Sequence, residues 1–315
     1  MGMSKMRDRY ELEHLYSEPI RAFRIYLKQS GYTPSTQKEY MRESLLYLES
    51  LNGISPQDVG KLHIMEFLSD KQGSAGDKTR NRSLSAIRTF YMALMDFEIA
   101  SKNPAAEVKK SKTEKNKKPT YLEEEDLSKS LQFIEGRYKN RNIAMFLLMA
   151  YCGLRVGEVH RLNLKDLKKN RGTIEVFGKG RKWNEIPVPE VLLDYLLEVE
   201  KERITPYRVQ EDAFFVSQKG RRLSIRQIQK IVNQTFELFK KNNPNINDMK
   251  LSCHKLRHSF ATMLLKNDVD IRVVKELMGH SSIETTMMYT HINDEQKKKA
   301  MATVNVPVNV IGELK

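Results

Sequence analysis

Residues 254–265 read HKLRHSFATMLL. On a helix, positions three apart share a face, so His254 and Arg257 present an imidazole and a guanidinium to the same side. The residues that follow, from Ser259 to Leu265, are mostly apolar, so the helix is packed and the polar pair emerges where packing begins. Alone, such a pair is more often a surface feature of an amphipathic helix. Three other stretches give it meaning: GLRVGEVHRL (153–162), GKGRKWNEIPV (178–188) and LMGHSSIETTMMYTH (277–291).

Each carries one or two polar groups at an unusual place. Asn140–Tyr151 is nearly all apolar and predicts a buried central helix capped by Gly153. Arg155 then begins the next element, where a lone arginine could equally cap the preceding helix's carbonyls. Ile174 and Val176, then Ile186 and Val188, alternate around a glycine and lysine turn, which predicts a hairpin projecting Lys179 between two glycines. His280 precedes Ser281-Ser282-Ile283-Glu284, a capping box that places the imidazole beside a helix N-terminus, where anions are favoured. Tyr289 falls about two turns along that helix and by itself reads as core.

The chain as a whole points the same way. Its 315 residues suffice for two domains. Lysine and arginine number 54 against 40 acidic residues, a formal charge of +14, and the pI is about 9.5. Such a balance implies a polyanionic partner, nucleic acid ahead of an anionic membrane surface. The longest apolar run, Ile143 to Leu154, is about a dozen residues and ends at Arg155, too short to span a bilayer. The N-terminus has no apolar core of signal-peptide length. Cys152 and Cys253 form no CxxC pair, so a reducing cytoplasm is expected, both thiols read as small buried hydrophobes, and no metal site is expected.

The first hundred residues read as an all-α domain. Ile20, Phe23 and Leu27 mark one helix closed by Gly31. Met41, Leu45 and Leu48 mark another ending near Gly53. Ser55-Pro56 is a start signal for a third, and Leu84, Ile87, Phe90, Tyr91 and Leu94 a fourth, stopping around Asn103-Pro104. VKKSKTEKNKKP (108–119) holds six lysines and one acid and reads as an exposed linker lying along phosphate. Helical patterns follow at 121–135 and 224–241. The expected layout is a helical domain over 1–105, a basic linker over 106–119, a second domain over 120–300 and a tail over 301–315 with Val304, Val306, Val308, Val310 and Ile311 to bury.

Taken together, the four motifs resemble the tyrosine recombinases, the lambda-integrase class that includes the Xer-like enzymes. The resemblance covers nearly the whole chain. It implies a mainly α fold with a small β-sheet in the C-terminal domain: a helical core-binding domain and a catalytic domain forming a C-shaped DNA clamp. It implies that Tyr289 attacks the scissile phosphate to form a 3′-phosphotyrosyl link, while Arg155 and Arg257 hold the nonbridging oxygens. Lys179 would protonate the leaving 5′-oxygen, His254 and His280 would orient the phosphate and assist proton transfer, and Glu158 and His258 would support them. No metal, ATP or other cofactor is expected, because one phosphodiester is exchanged for another.

The implied partner is double-stranded DNA with a specific recombination site, bound by a homotetramer on two sites, alone or with a partner recombinase, in the cytoplasm at the nucleoid and not at a membrane. The tail is expected to dock on a neighbouring protomer. Candidate DNA contacts are Arg80, Arg82, Arg88, Lys109, Lys110, Arg226 and Lys230. The alternatives are a type IB topoisomerase, a catalytically silent DNA-binding protein of the same fold and, last, a Cys-His hydrolase on Cys253 and His254, whose side chains point about 100° apart on a helix. His14 and His63 read as surface or structural residues; His291 is as readily structural as functional.

Overall fold

The computed structural model describes residues 9–112, 120–178, 183–208 and 211–279. The chain divides into two compact units, residues 1–116 and 117–315, each taken by itself below.

The first unit is all helix: α1 (Arg9–Leu15), α2 (Ser17–Gln29), α3 (Pro34–Ser50), α4 (Lys61–Ala75) and α5 (Asp77–Asp96). The Thr33 side chain accepts from the Thr36 amide at 3.3 Å and Pro34 takes the first position, which together start α3. Phe23, Tyr47, Phe67, Phe90 and Tyr91 meet edge-to-face in the core, as in Phe23 on Phe90 at 5.3 Å and Tyr47 on Phe67 at 5.4 Å. The buried Tyr47 and Tyr91 hydroxyls bond each other at 2.9 Å and Tyr91 donates to the Pro56 carbonyl at 3.2 Å, so neither phenol is stranded.

Two expected boundaries move. Ser55-Pro56 starts only a single 3-10 turn, Pro56–Asp58, and the helix proper begins at Lys61. There the His63 ring accepts from the Gly60 amide at 3.2 Å and does the capping that Ser55 does not. Helix α5 stops at Asp96, well short of Asn103-Pro104, because Glu98 turns left-handed at φ 57° and the Ile99 amide folds back onto the Leu94 carbonyl.

The expected linker also starts too early. Arg88 on α5 donates to the carbonyls of Ala105, at 2.9 Å, and Val108, while Asn81 brackets Ser111 through its amide and carbonyl at 2.8 and 2.9 Å. Val108 is buried. Residues 105–111 are therefore strapped to α5, since side chains of a helix can satisfy backbone groups that composition alone leaves looking free. Arg88→Ala should release this strap at a cost of about 1.5–3 kcal/mol. Limited trypsin digestion should then cut at Lys109 and Lys110 several-fold faster than in the parent.

The second unit is built on α7 (Lys139–Tyr151), preceded by α6 (Glu124–Leu131) and followed by α8 (Val156–Arg161). A three-stranded antiparallel sheet comes next: β1 (Leu167–Lys168), β2 (Thr173–Phe177) and β3 (Trp183–Pro187) in that order. The register pairs Ile174 with Ile186 and Val176 with Asn184, placing Ile174, Val176 and Ile186 on the buried face. Then follow α9 (Glu190–Lys201), α10 (Ile225–Lys241), α11 (Cys253–Lys266) and α12 (Ile271–Leu277).

Met145, Leu148 and Met149 of α7 are fully buried beside Phe146, which stacks edge-on against Phe236 of α10. Ser224 caps α10 by accepting from the Gln227 amide. Helix α6 begins three residues after Tyr121 because the Leu122 amide is taken by the Ser259 hydroxyl of α11 at 2.8 Å, which holds that segment extended. No helix among the described residues is long and apolar enough to cross a membrane.

Candidate active site

The site is organised by a buried carboxylate. Gly153, at φ 65°, turns the chain out of α7 so that Arg155 becomes the N-cap of α8. Glu158, on the first turn of α8, reaches back: one carboxylate oxygen accepts the Arg155 amide at 2.7 Å and the other accepts its guanidinium at 2.8 Å. Glu158 is 4% exposed. The Arg257 guanidinium, from the first turns of α11, stands 3.8 Å from the same carboxylate. Two cations thus converge on one anion from elements a hundred residues apart, and the cluster keeps a net positive charge.

Arg257 is buried and its donors are fixed by backbone, to the carbonyls of Gly153 and Met278. Arg155 is partly exposed and donates a longer bond, 3.3 Å, to the Gly279 carbonyl. Gly279 turns left-handed at φ 54°, ending α12. Both arginines therefore grip the chain immediately before residue 280. Guanidiniums held in place by protein acceptors, one buried and one partly exposed, suit a tetrahedral anion, because their orientation is set before charge arrives.

His254 lies at the open side of this cluster. Partial burial, then Arg257, Arg155 and Lys255, lower its pKa, which favours the neutral imidazole. His258, one turn further into the packing, is pushed down to about 4, by burial first and then by Lys255, His254 and Arg257. Since its folded pKa lies below the unfolded value, the unfolded chain takes up a proton that the folded one refuses. Stability is therefore unaffected above about pH 6.5 and should fall by up to about 1.4 kcal/mol per pH unit between there and pH 4. Melting curves across that window should show a shallower acid slope for His258→Asn than for the parent.

The Phage integrase family model matches residues 120–296. The chain belongs to that family, the tyrosine recombinases. Tyrosine recombinase XerD of Oceanobacillus iheyensis is 32% identical over 296 residues, covering 91% of this chain and 96% of the relative. Tyrosine recombinase XerC of Alcanivorax borkumensis is 34% identical over 291 residues, covering 89% and 91%. The fold is shared with the XerH site-specific recombinase bound to its difH substrate (TM-score 0.69, 23% identity, 98% of this chain and 92% of that one). It is also shared with the Tn1549 transposon integrase in complex with circular intermediate DNA (TM-score 0.72, 18% identity, 90% and 98%).

Of the six residues the recombinase motifs single out, Arg155, His254 and Arg257 come together around Glu158. Lys179, His280 and Tyr289 lie outside the described residues, as do residues 301–315. The strands leading to and from Lys179 are described up to Phe177, whose carbonyl accepts from Arg161 of α8 at 3.1 Å, and from Trp183, whose ring lies against that of Phe177. The Asn184 side-chain amide donates to the Glu276 carbonyl at 3.4 Å. These ties link the recombinase's hairpin to α8 and α12. They were invisible in sequence because their acceptors are backbone carbonyls, though Arg161 stands inside the Arg155 motif.

Arg226 and Lys230 sit on the exposed face of α10, beside an open groove of about 850 Å³ that also shows Gln229, Asn233 and Gln234. In the first unit Lys109 and Lys110 are exposed and Arg80 donates to the Lys109 carbonyl at 3.2 Å. Arg82 pairs with Glu39 at 3.0 Å. Arg88, placed among the DNA contacts from sequence, instead has its guanidinium engaged by the Ala105 and Val108 carbonyls and does a structural job. Burial pushes the Cys152 thiol up to about 12 and Cys253 up to about 11. Burial thus disfavours the thiolate that a Cys-His hydrolase would need.

Proposed function

We propose that this protein recombines DNA at a specific site by transient covalent attachment through Tyr289. The observation that supports it is the Arg155–Glu158–Arg257 cluster, a preorganised cationic seat for a phosphate on a chain whose motifs supply a tyrosine nucleophile. The Tyr289 oxygen attacks the scissile phosphorus, the bond from phosphorus to the 5′-oxygen breaks, and a 3′-phosphotyrosine remains. Lys179 gives its proton to the leaving 5′-oxygen, while His254 and His280 orient the phosphate and carry the proton released by the phenol. Attack by the 5′-hydroxyl of the second duplex reverses these steps and frees the tyrosine. Bond energy is kept in the phosphotyrosine throughout, so the exchange needs neither ATP nor water.

Tyrosine ordinarily ionises near pH 10. Two guanidiniums and a lysine around one phosphate favour both the phenolate and the doubly charged transition state, which is stabilisation of the oxyanion-hole kind. The partner is double-stranded DNA, bound by the core-binding unit, by Lys109 and Lys110 and by the exposed face of α10. Two sites would be held by four copies, with residues 301–315 docking on a neighbouring copy.

A nicked duplex carrying the protein's own site tests this reading. Cleavage releases a short fragment that diffuses away and traps the intermediate. Incubation without divalent metal or ATP should give a slow-migrating protein-DNA band on a denaturing gel. Tight, sequence-specific binding with no covalent band would leave a DNA-binding protein of the same fold.

A further inference from the structure

In the first unit a second carboxylate is buried, and it too holds arginines. Glu43, 2% exposed in α3, accepts from the Ser83 hydroxyl of α5 at 2.7 Å with one oxygen and from Arg42 at 2.7 Å with the other. That second oxygen stands 3.9 Å from Arg82 of α5, whose other terminal nitrogen pairs with Glu39 at 3.0 Å. Arg82 is thus pinned between two carboxylates of the neighbouring helix, with its guanidinium still reaching the surface at 42% exposure. Burying a carboxylate costs several kcal/mol unless it is fully partnered, and packing alone asks for none at this crossing.

The neighbours show what this arrangement is suited to. Lys38 and Lys78 lie exposed on the same two helices, and among the described residues neither has an ion pair, which is the state that attracts phosphate. Arg82 has the opposite character. Its charge is largely cancelled nearby, and a phosphate within hydrogen-bonding reach would lie a few Å from the Glu39 carboxylate, where like charges repel. Its direction, however, is biased by the carboxylates on either side. A planar fork so biased and of little net charge matches a neutral base edge presenting two acceptors, and in the major groove that edge is guanine O6 and N7.

We propose that Arg82 reads a guanine in the recognition site, held in register by Glu39 and Glu43. Glu43 is a positioning residue, acting through Arg82 and not by touching DNA. The inference rests on the reading of this protein as a site-specific DNA-binding enzyme.

The test is selection of sequences from a random duplex pool by the full chain, comparing the parent with Arg82→Ala, Arg82→Lys and Glu43→Gln. The parent should show one guanine preferred by roughly tenfold or more in each half-site. Arg82→Ala should erase that preference and leave the other positions intact. Arg82→Lys should erase most of it, since an ammonium keeps the charge but not the fork. Glu43→Gln should weaken the same position although it adds a unit of positive charge, where simple electrostatics expects tighter binding everywhere; should it fail to fold, the two Arg82 variants decide alone.

A uniform loss of affinity in Arg82→Ala, with a salt dependence shallower by about one phosphate contact, would overturn the proposal in favour of a backbone contact. An unchanged preference would overturn it outright. A parent chain that enriches no sequence would instead remove the site-specific reading on which the proposal stands.

Discussion

Arg257→Ala is expected to slow covalent adduct formation by a factor on the order of 10²–10³, the usual consequence of removing one fixed donor from a site where negative charge develops. Its guanidinium holds the carbonyls of Gly153 and Met278 and stands 3.8 Å from Glu158. Deletion would therefore remove the proposed phosphate ligand and also untie the end of α7 from the chain preceding residue 280. Two buried acceptors lose their donor, each at about 1–3 kcal/mol, so the melting temperature should fall as well. Arg257→Lys separates the effects: it keeps the charge but not the planar fork, and should recover stability only in part and activity hardly at all. Single-turnover cleavage of the nicked duplex, alongside melting curves, measures both. Equal rates for parent and Arg257→Lys would mean that the fork geometry is irrelevant.

Gly153→Ala should be nearly as damaging, although it touches no substrate. The residue sits at φ 65°, costly for any side chain, and an added methyl group would lie 2.5 Å from the Phe260 ring and 3.3 Å from the Met278 sulfur. The backbone term is about 1–2 kcal/mol and the overpacking about 1–3 kcal/mol. Relief requires either Phe260 to leave the core or the 153 carbonyl to turn, and the second removes an anchor of Arg257. Melting temperature and adduct rate should therefore fall together, by several degrees and at least tenfold. By contrast Gly157→Ala has only the end of the flexible Arg161 side chain nearby, at 3.3 Å, and serves as the mild control.

The parts of this site that sequence made legible are those where one residue's chemistry and one local period suffice. The spacing of His254 and Arg257, the hairpin from Ile174 to Ile186 and the helical pattern over 224–241 are all local. In the sequence Glu158 is singled out only by the family resemblance, and its role as the shared anion for two arginines depends on Gly153 turning α8 toward α11, a tertiary fact. The same limit explains the misplaced boundaries. Arg88 strapping residues 105–108 to α5, Ser259 holding Leu122 extended, and His63 capping α4 in place of Ser55 each satisfy a backbone group from elsewhere in the fold. The short strand β1 and helix α9 carry little sequence signal for a different reason: two residues show no alternation, and EVLLDYLLEVEK follows a strand without a strong cap.

The central claim is that Tyr289 is the nucleophile, and the most direct measurement is where the DNA is attached. The trapped adduct is digested with nuclease and trypsin and the peptides are sequenced by mass spectrometry. The account predicts a nucleotide phosphate on Tyr289, in the peptide that also contains His280, and no adduct from Tyr289→Phe under the same conditions. Phosphate on any other residue, or an adduct that survives in Tyr289→Phe, would contradict it.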